Sequence, residues 1–171
     1  EDALRRPFTV GMERTLNEDV LFGFQQLADI GLRALSPGVN DPTTAMFAID
    51  QLGEGLIRVQ ETTERDRVAV DSDGTPRVIY PEFPFDVFLT ISFKHLRIYG
   101  STDPFVCAHL ATVLGTVHRL GKNEQARRAV AAETRAIVDA FAASEPRPAD
   151  MHHAREAASC ALTIEDDDLP V

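Results

Sequence analysis

A chain of 171 residues with a formal net charge of -10 and no lysine/arginine cluster lacks the electrostatic footprint of a nucleic-acid or anionic-bilayer binder. Its 44% hydrophobic and 26% charged residues suit one globular domain that buries a core without disulfides. Cys107 and Cys160 are too few for a disulfide framework and form no CxxC pair. They read as free buried thiols of a reducing, intracellular compartment, with a single bridge between them as the alternative.

No apolar run approaches the roughly 18–20 residues that span a bilayer. The chain opens EDALRRPF, without an initiator methionine, so the missing span carries no statement about a longer parent protein.

The first predicted helix covers about Thr15 to Leu35, with Thr15 as its cap and Glu18 in capping-box position. Leu16, Val20, Phe24, Leu27 and Ala34 follow helical spacing, and Leu21, Ala28 and Leu32 add a second apolar strip. Only a narrow polar stripe of Glu18, Gln25, Asp29 and Arg33 remains. Such a helix should be buried over most of its circumference.

Ser36-Pro37-Gly38-Val39-Asn40 cannot continue it. Pro37 biases Ser36 away from the helical region, and Gly38 admits a left-handed or close-packed backbone. Asp41-Pro42 restarts the chain as N-cap and first helical residue. Helix 42–61 turns Ala45, Ala48, Ile49, Leu52, Leu56 and Val59 inward and sets Asp50, Glu54 and Arg58 in an outer ladder. Gly53 and Gly55 weaken its interior and suit close helix contact.

Val68-Ala69-Val70 and Arg77-Val78-Ile79-Tyr80 flank a turn-rich segment and predict a small β-hairpin at about 68–80, which needs something to pack on. Phe85, Phe88, Leu89, Ser92, Leu96 and Tyr99 then trace a helix ending at Gly100. Asp103-Pro104 opens the next, with Val106, Leu110, Val113, Val117 and Leu120 inward until Gly121. An alanine-rich helix covers about Asn123 to Ala143, and a last short one Asp150 to Ala161. Residues 165–171, EDDDLPV, read as a frayed, disordered acidic tail. There is no βαβ alternation, and no repeat stands out. The fold class is all-α: a bundle of five or six helices with one small β-hairpin, forming one domain over residues 1–164.

The stretch around the first crossing gathers Arg14, Glu18, Asp29, Arg33, Ser36, Asn40, Asp41, Thr43 and Thr44. The free N–H groups opening helix 42–61 form a ready anion site unless the Asp41 carboxylate occupies them. Arg14 and Arg33 could add charge for a phosphate or carboxylate. The competing reading is structural: an Asp29–Arg33 pair, an Asp41 cap with Arg14 or Arg33 nearby, and Arg14 pinning the crossing. No nucleophile–base–orienter series can be placed. His109 and His118 point to opposite sides of one helix. Asp150, His152, His153 and Glu156 form a loose cluster without metal-site spacing. No cofactor or metal is expected.

The run RTLNEDVLFGFQQLADIGLRALSPGVNDPTTA, residues 14–45, resembles the signature stretch of DUF2254, an uncharacterised family of predicted bacterial membrane proteins. The similarity continues through RVIYPEF and FLTISFKHLRIYGSTDPFV, residues 77–83 and 88–106, while the last forty residues are less distinctive. The resemblance implies a transmembrane protein whose N-terminal spans precede this region, making the present chain its soluble C-terminal part. Arg14, Asp19, Asp29, Arg33, Ser36, Asn40, Asp41 and Thr44 match the family's polar signature, which has no assigned residue roles.

The resemblance thus points to a regulatory, sensory or assembly domain of a membrane protein, with a channel or transporter among the candidates. It places the domain at the cell membrane, on the cytoplasmic side, with its own N-terminal membrane segment and further copies of itself as partners and no nucleic acid. Two alternatives stand beside it. One is a small-anion or phosphorylated-metabolite binder or enzyme, which requires an open polar pocket. The other is a free-standing interaction module, which requires a large apolar patch on helix 123–143 or segment 83–93.

Overall fold

The computed structural model describes residues 19–61, 67–80 and 83–162. Among them are six helices: α1 (Val20–Ala34), α2 (Pro42–Glu61), α3 (Phe85–Gly100), α4 (Pro104–Leu120), α5 (Glu124–Ala142) and α6 (Pro148–Leu162). Two strands, β1 (Arg67–Val70) and β2 (Pro76–Tyr80), lie between α2 and α3. They pair antiparallel, with Val68 opposite Ile79 and Ala69 opposite Val78, and the register slips between Ala69 and Val70. The expected all-α bundle is therefore present with six helices. The expected tail at residues 165–171 lies outside the described residues.

Short turns join α1 to α2, α3 to α4 and α5 to α6, making three helical hairpins, and the second helix of each opens on a proline: Pro42, Pro104 and Pro148. Proline suits that position because the N–H it lacks would have had no helical partner. Asp19, Asp103 and Asn123 cap α1, α4 and α5 with side-chain oxygens.

The hairpins stack in register. Phe24 meets Phe88 edge-on at 5.1 Å, and the far ends of the same helices meet where Gly100 backs onto Leu35, so α1 and α3 run parallel. Asp50 reaches His109 and Gln60 reaches Val117, so α2 and α4 are parallel as well. The starts of α3 and α5 line one groove, and Arg97 joins Glu133 farther along. The result is two layers, α1–α3–α5 and α2–α4–α6, a regularity that the sequence did not display as a repeat. The interval from Pro42 to Pro104 exceeds that from Pro104 to Pro148 because the ribbon is inserted in it.

The main core joins Ile49, Leu52 and Leu56 of α2 to Leu96 of α3, Leu110, Leu114 and Val117 of α4, and Val130 and Ile137 of α5. Gly53 and Gly55 allow its close packing: a Cβ on Gly53 would collide with Val113, and one on Gly55 would meet the Phe24 ring at 2.6 Å.

Several expectations need correction. The described first helix begins at Val20 under Asp19; Thr15, Leu16 and Glu18 lie outside the described residues. Nor is it buried on most of its surface, since Val20 is 63% exposed and its buried residues are Phe24, Ala28, Gly31 and Ala34. More of α4 is buried, from Val106 through Leu110, Leu114 and Val117 to His118. Leu120, expected inward, is exposed at the end of α4. The last helix starts at Pro148 rather than Asp150.

The transmembrane expectation is also corrected. Among the described residues no helix is long and apolar enough to cross a membrane. The physical reason is periodic charge: α2, with 20 residues, carries Asp50, Glu54 and Arg58 along its outer side.

Candidate functional site

The α1–α2 crossing is built from its own backbone. The N–H of Leu35 donates to Gly31 (3.0 Å), and that of Asn40 to Ser36 (2.9 Å). The N–H of Asp41 donates to Ala34 (2.8 Å), and the Ser36 hydroxyl to the carbonyl of Arg33 (2.7 Å). Asn40 holds the left-handed turn at φ 48°, a conformation asparagine tolerates better than most residues. Gly38, the sequence's candidate for that role, has no positive φ, and a Cβ there would meet nothing within 4 Å.

Asp41 occupies the start of α2. Its Oδ1 accepts the N–H of Thr44 at 3.1 Å, and its Oδ2 accepts the Thr44 hydroxyl at 2.5 Å. These bonds, led by the hydroxyl and joined by the N–H of Thr43, hold the carboxyl below its ordinary value near 3.8. The carboxylate thus sits where an external anion would bind, which weakens the anion-site reading of this helix end.

The other expected residues do not converge. Asp19 is the α1 cap, accepting from Phe22 at 2.9 Å. Asp29 and Arg33 are exposed on α1, and among the described residues no ion pair joins them to each other or Arg33 to Asp41. Arg14 lies outside the described residues.

Sequence reasoning missed two side-chain contacts that link hairpins among the described residues. His109 Nε2 meets Asp50 Oδ1 at 2.8 Å between α4 and α2, and Arg97 Nε donates to Glu133 Oε1 at 2.8 Å between α3 and α5. No local signal announces either pair, because the partners are 59 and 36 residues apart. Ser92 and Thr134 are fully buried, and each hydroxyl donates to the carbonyl four residues back, at Phe88 and Val130. That local pairing explains how they enter the core without a partner helix.

Among the described residues no group of three or more His, Cys, Asp or Glu side chains is arranged to hold a metal ion. Asp150 instead takes Arg147 at 2.8 Å. An open groove of about 390 Å³ lies at the α5–α6 turn, lined by Glu145, Pro146, Met151, His152 and Arg155 among others. A second, of about 200 Å³, separates the starts of α3 and α5 and includes Phe85, Asp86, Asn123 and Ala126. Neither contains an expected site residue. Cys107 is a buried free thiol whose Sγ donates to Gly100 at 3.4 Å. Burial, and then the charge of Asp103, push its pKa up to about 12, which makes it a packing residue rather than a nucleophile.

No solved structure matches the chain. Uncharacterized proteins of Mycobacterium bovis and of two strains of Mycobacterium tuberculosis are each 34% identical to it over 131 residues, or 77% of this chain. The chain spans about a quarter (25%) of the length of these curated relatives. The model of DUF2254, described as a predicted membrane protein, matches residues 1–116. With that match covering more than half of its length, the chain belongs to the DUF2254 family of predicted membrane proteins.

Proposed function

We propose that this chain is an extramembrane regulatory or assembly domain of a membrane protein, with the membrane-embedded part in a preceding segment and the domain on the cytoplasmic side. We further assign residues 1–164 to one domain unit and place it toward the C-terminal end of the full-length protein. The observation that carries this reading is membership of a predicted membrane-protein family by a chain in which no described helix is long and apolar enough to cross a membrane. Such helices suit a water-facing body attached to a membrane anchor.

The polar residues of the α1–α2 crossing act structurally in this reading. Ser36 and Asp41 bond to neighbouring backbone, Asn40 makes the turn, and Thr44 completes the cap. Asp29 and Arg33 remain outward and available to a neighbouring part of the full-length protein. The reading as an anion binder or enzyme is disfavoured because the Asp41 carboxylate takes up the helix-start N–H of Thr44.

The test uses the full-length protein of the parent gene. Membranes washed in alkaline carbonate should retain it, whereas complete release into the wash would overturn the reading. Removing this domain should leave membrane retention intact and change the size of the detergent-extracted assembly.

A further inference from the structure

Among the described residues the ribbon has little cover. Its turn is well made: Asp71 Oδ1 accepts the N–H groups of Asp73 and Thr75, each at 3.0 Å, and Arg77 Nε donates to Asp71 Oδ2 at 2.6 Å. Yet among the described residues no helix makes more than a marginal contact with either strand. Val68 and Val70 are 44% and 57% exposed, and Val78, registered with Ala69 and so on the opposite face from Val68, is 44% exposed. A two-stranded ribbon without cover is marginal in water; a third strand or a packed face is what makes it stable.

The two open edges are not equivalent. The edge formed by β2 begins with Pro76, which has no N–H to offer. The edge formed by β1 contains no proline. Its core, Val68-Ala69-Val70, reads the same in both directions. Antiparallel pairing of this strand with itself, centred on Ala69, sets Val68 opposite Val70 of the second copy. The two exposed valines of one copy then meet those of the other. A stretch complementary to itself fits a second copy of the chain better than an unrelated strand.

We propose that β1 is a homotypic docking edge that pairs with β1 of a second copy, joining the two ribbons into a four-stranded antiparallel sheet. The inference rests on the reading of the chain as an assembly domain and names the surface through which assembly occurs. The helical stack stands apart from this edge, since the ribbon is an insertion between the first and second hairpins.

Sedimentation velocity of the 171-residue chain, across a wide concentration range, tests this with two double variants. Val68→Lys/Val70→Lys places like charges across the proposed twofold and should leave a monomer. Val68→Lys/Val70→Glu places opposite charges there and should restore the dimer, and all three proteins should share one helical melting curve. A wild-type chain that is monomeric throughout overturns both the self-association and the docking edge. A dimer that persists in Val68→Lys/Val70→Lys leaves self-association standing and overturns the docking edge alone. Loss of the dimer in both variants overturns the Ala69-centred register.

Discussion

The backbone N–H of Asp41 donates to the carbonyl oxygen of Ala34 across 2.8 Å, tying the cap of α2 to the last residue of α1. One residue thereby closes the turn with its backbone and starts the next helix with its side chain. That double use ties the end of α1 to the start of α2.

Asp41 provides a pH-dependent prediction. Its carboxyl is held below the ordinary value, first by the Thr44 hydroxyl, so the native state releases the proton more readily than the unfolded chain does. The resulting stability is present above the ordinary value near 3.8 and is lost as pH falls through the lower native value. Asp41→Asn keeps an acceptor for the helix start but has no titrating group. Its urea midpoint should fall below wild type at about pH 6, and the gap should narrow toward about pH 2.5. A gap that is constant across that range would remove Asp41 ionisation from the account.

Two glycines should respond oppositely to alanine. Gly53→Ala drives a Cβ into Val113, a β-branched side chain with little freedom to rotate away. Overpacking of about 1–3 kcal/mol should exceed the roughly 0.8–1 kcal/mol gained in helix propensity, so the unfolding midpoint should drop. Gly38→Ala meets open space at an ordinary φ and should change stability by less than about 1 kcal/mol, toward stabilisation.

The contact between His109 and Asp50 joins the first two hairpins on a partly exposed surface, with side chains 27% and 50% exposed. Solvent screening limits such a pair, so a double-mutant cycle with His109→Ala and Asp50→Ala should return a coupling of about 0.2–1 kcal/mol. Additive effects of the two substitutions would show that the contact holds nothing together.

Cys107 should be chemically silent while the protein is folded. In a Cys160→Ser background, a thiol-specific disulfide reagent at about pH 8 should leave native Cys107 unmodified for hours and titrate it at once in urea. Prompt reaction of the native protein would contradict its burial.

Much of this protein follows from local chemistry along the chain. The start of α2 at Pro42 and of α4 at Pro104, the end of α4 before Gly121 and the Asn123 cap of α5 are each written in a proline, a glycine or a short polar side chain. The inward face of α2 follows from helical period, because burial of one apolar stripe is what stabilises such a helix. What only the tertiary structure decided is which surfaces meet. The sequence made α1 look deeply buried, yet Val20 and Ile30 face outward; an apolar residue at a helix edge is covered only if another element arrives there. The parallel stacking of the three hairpins and the His109–Asp50 and Arg97–Glu133 links depend on distant neighbours. Such contacts leave no periodic signal because their partners are set by packing of whole hairpins rather than by spacing within one helix.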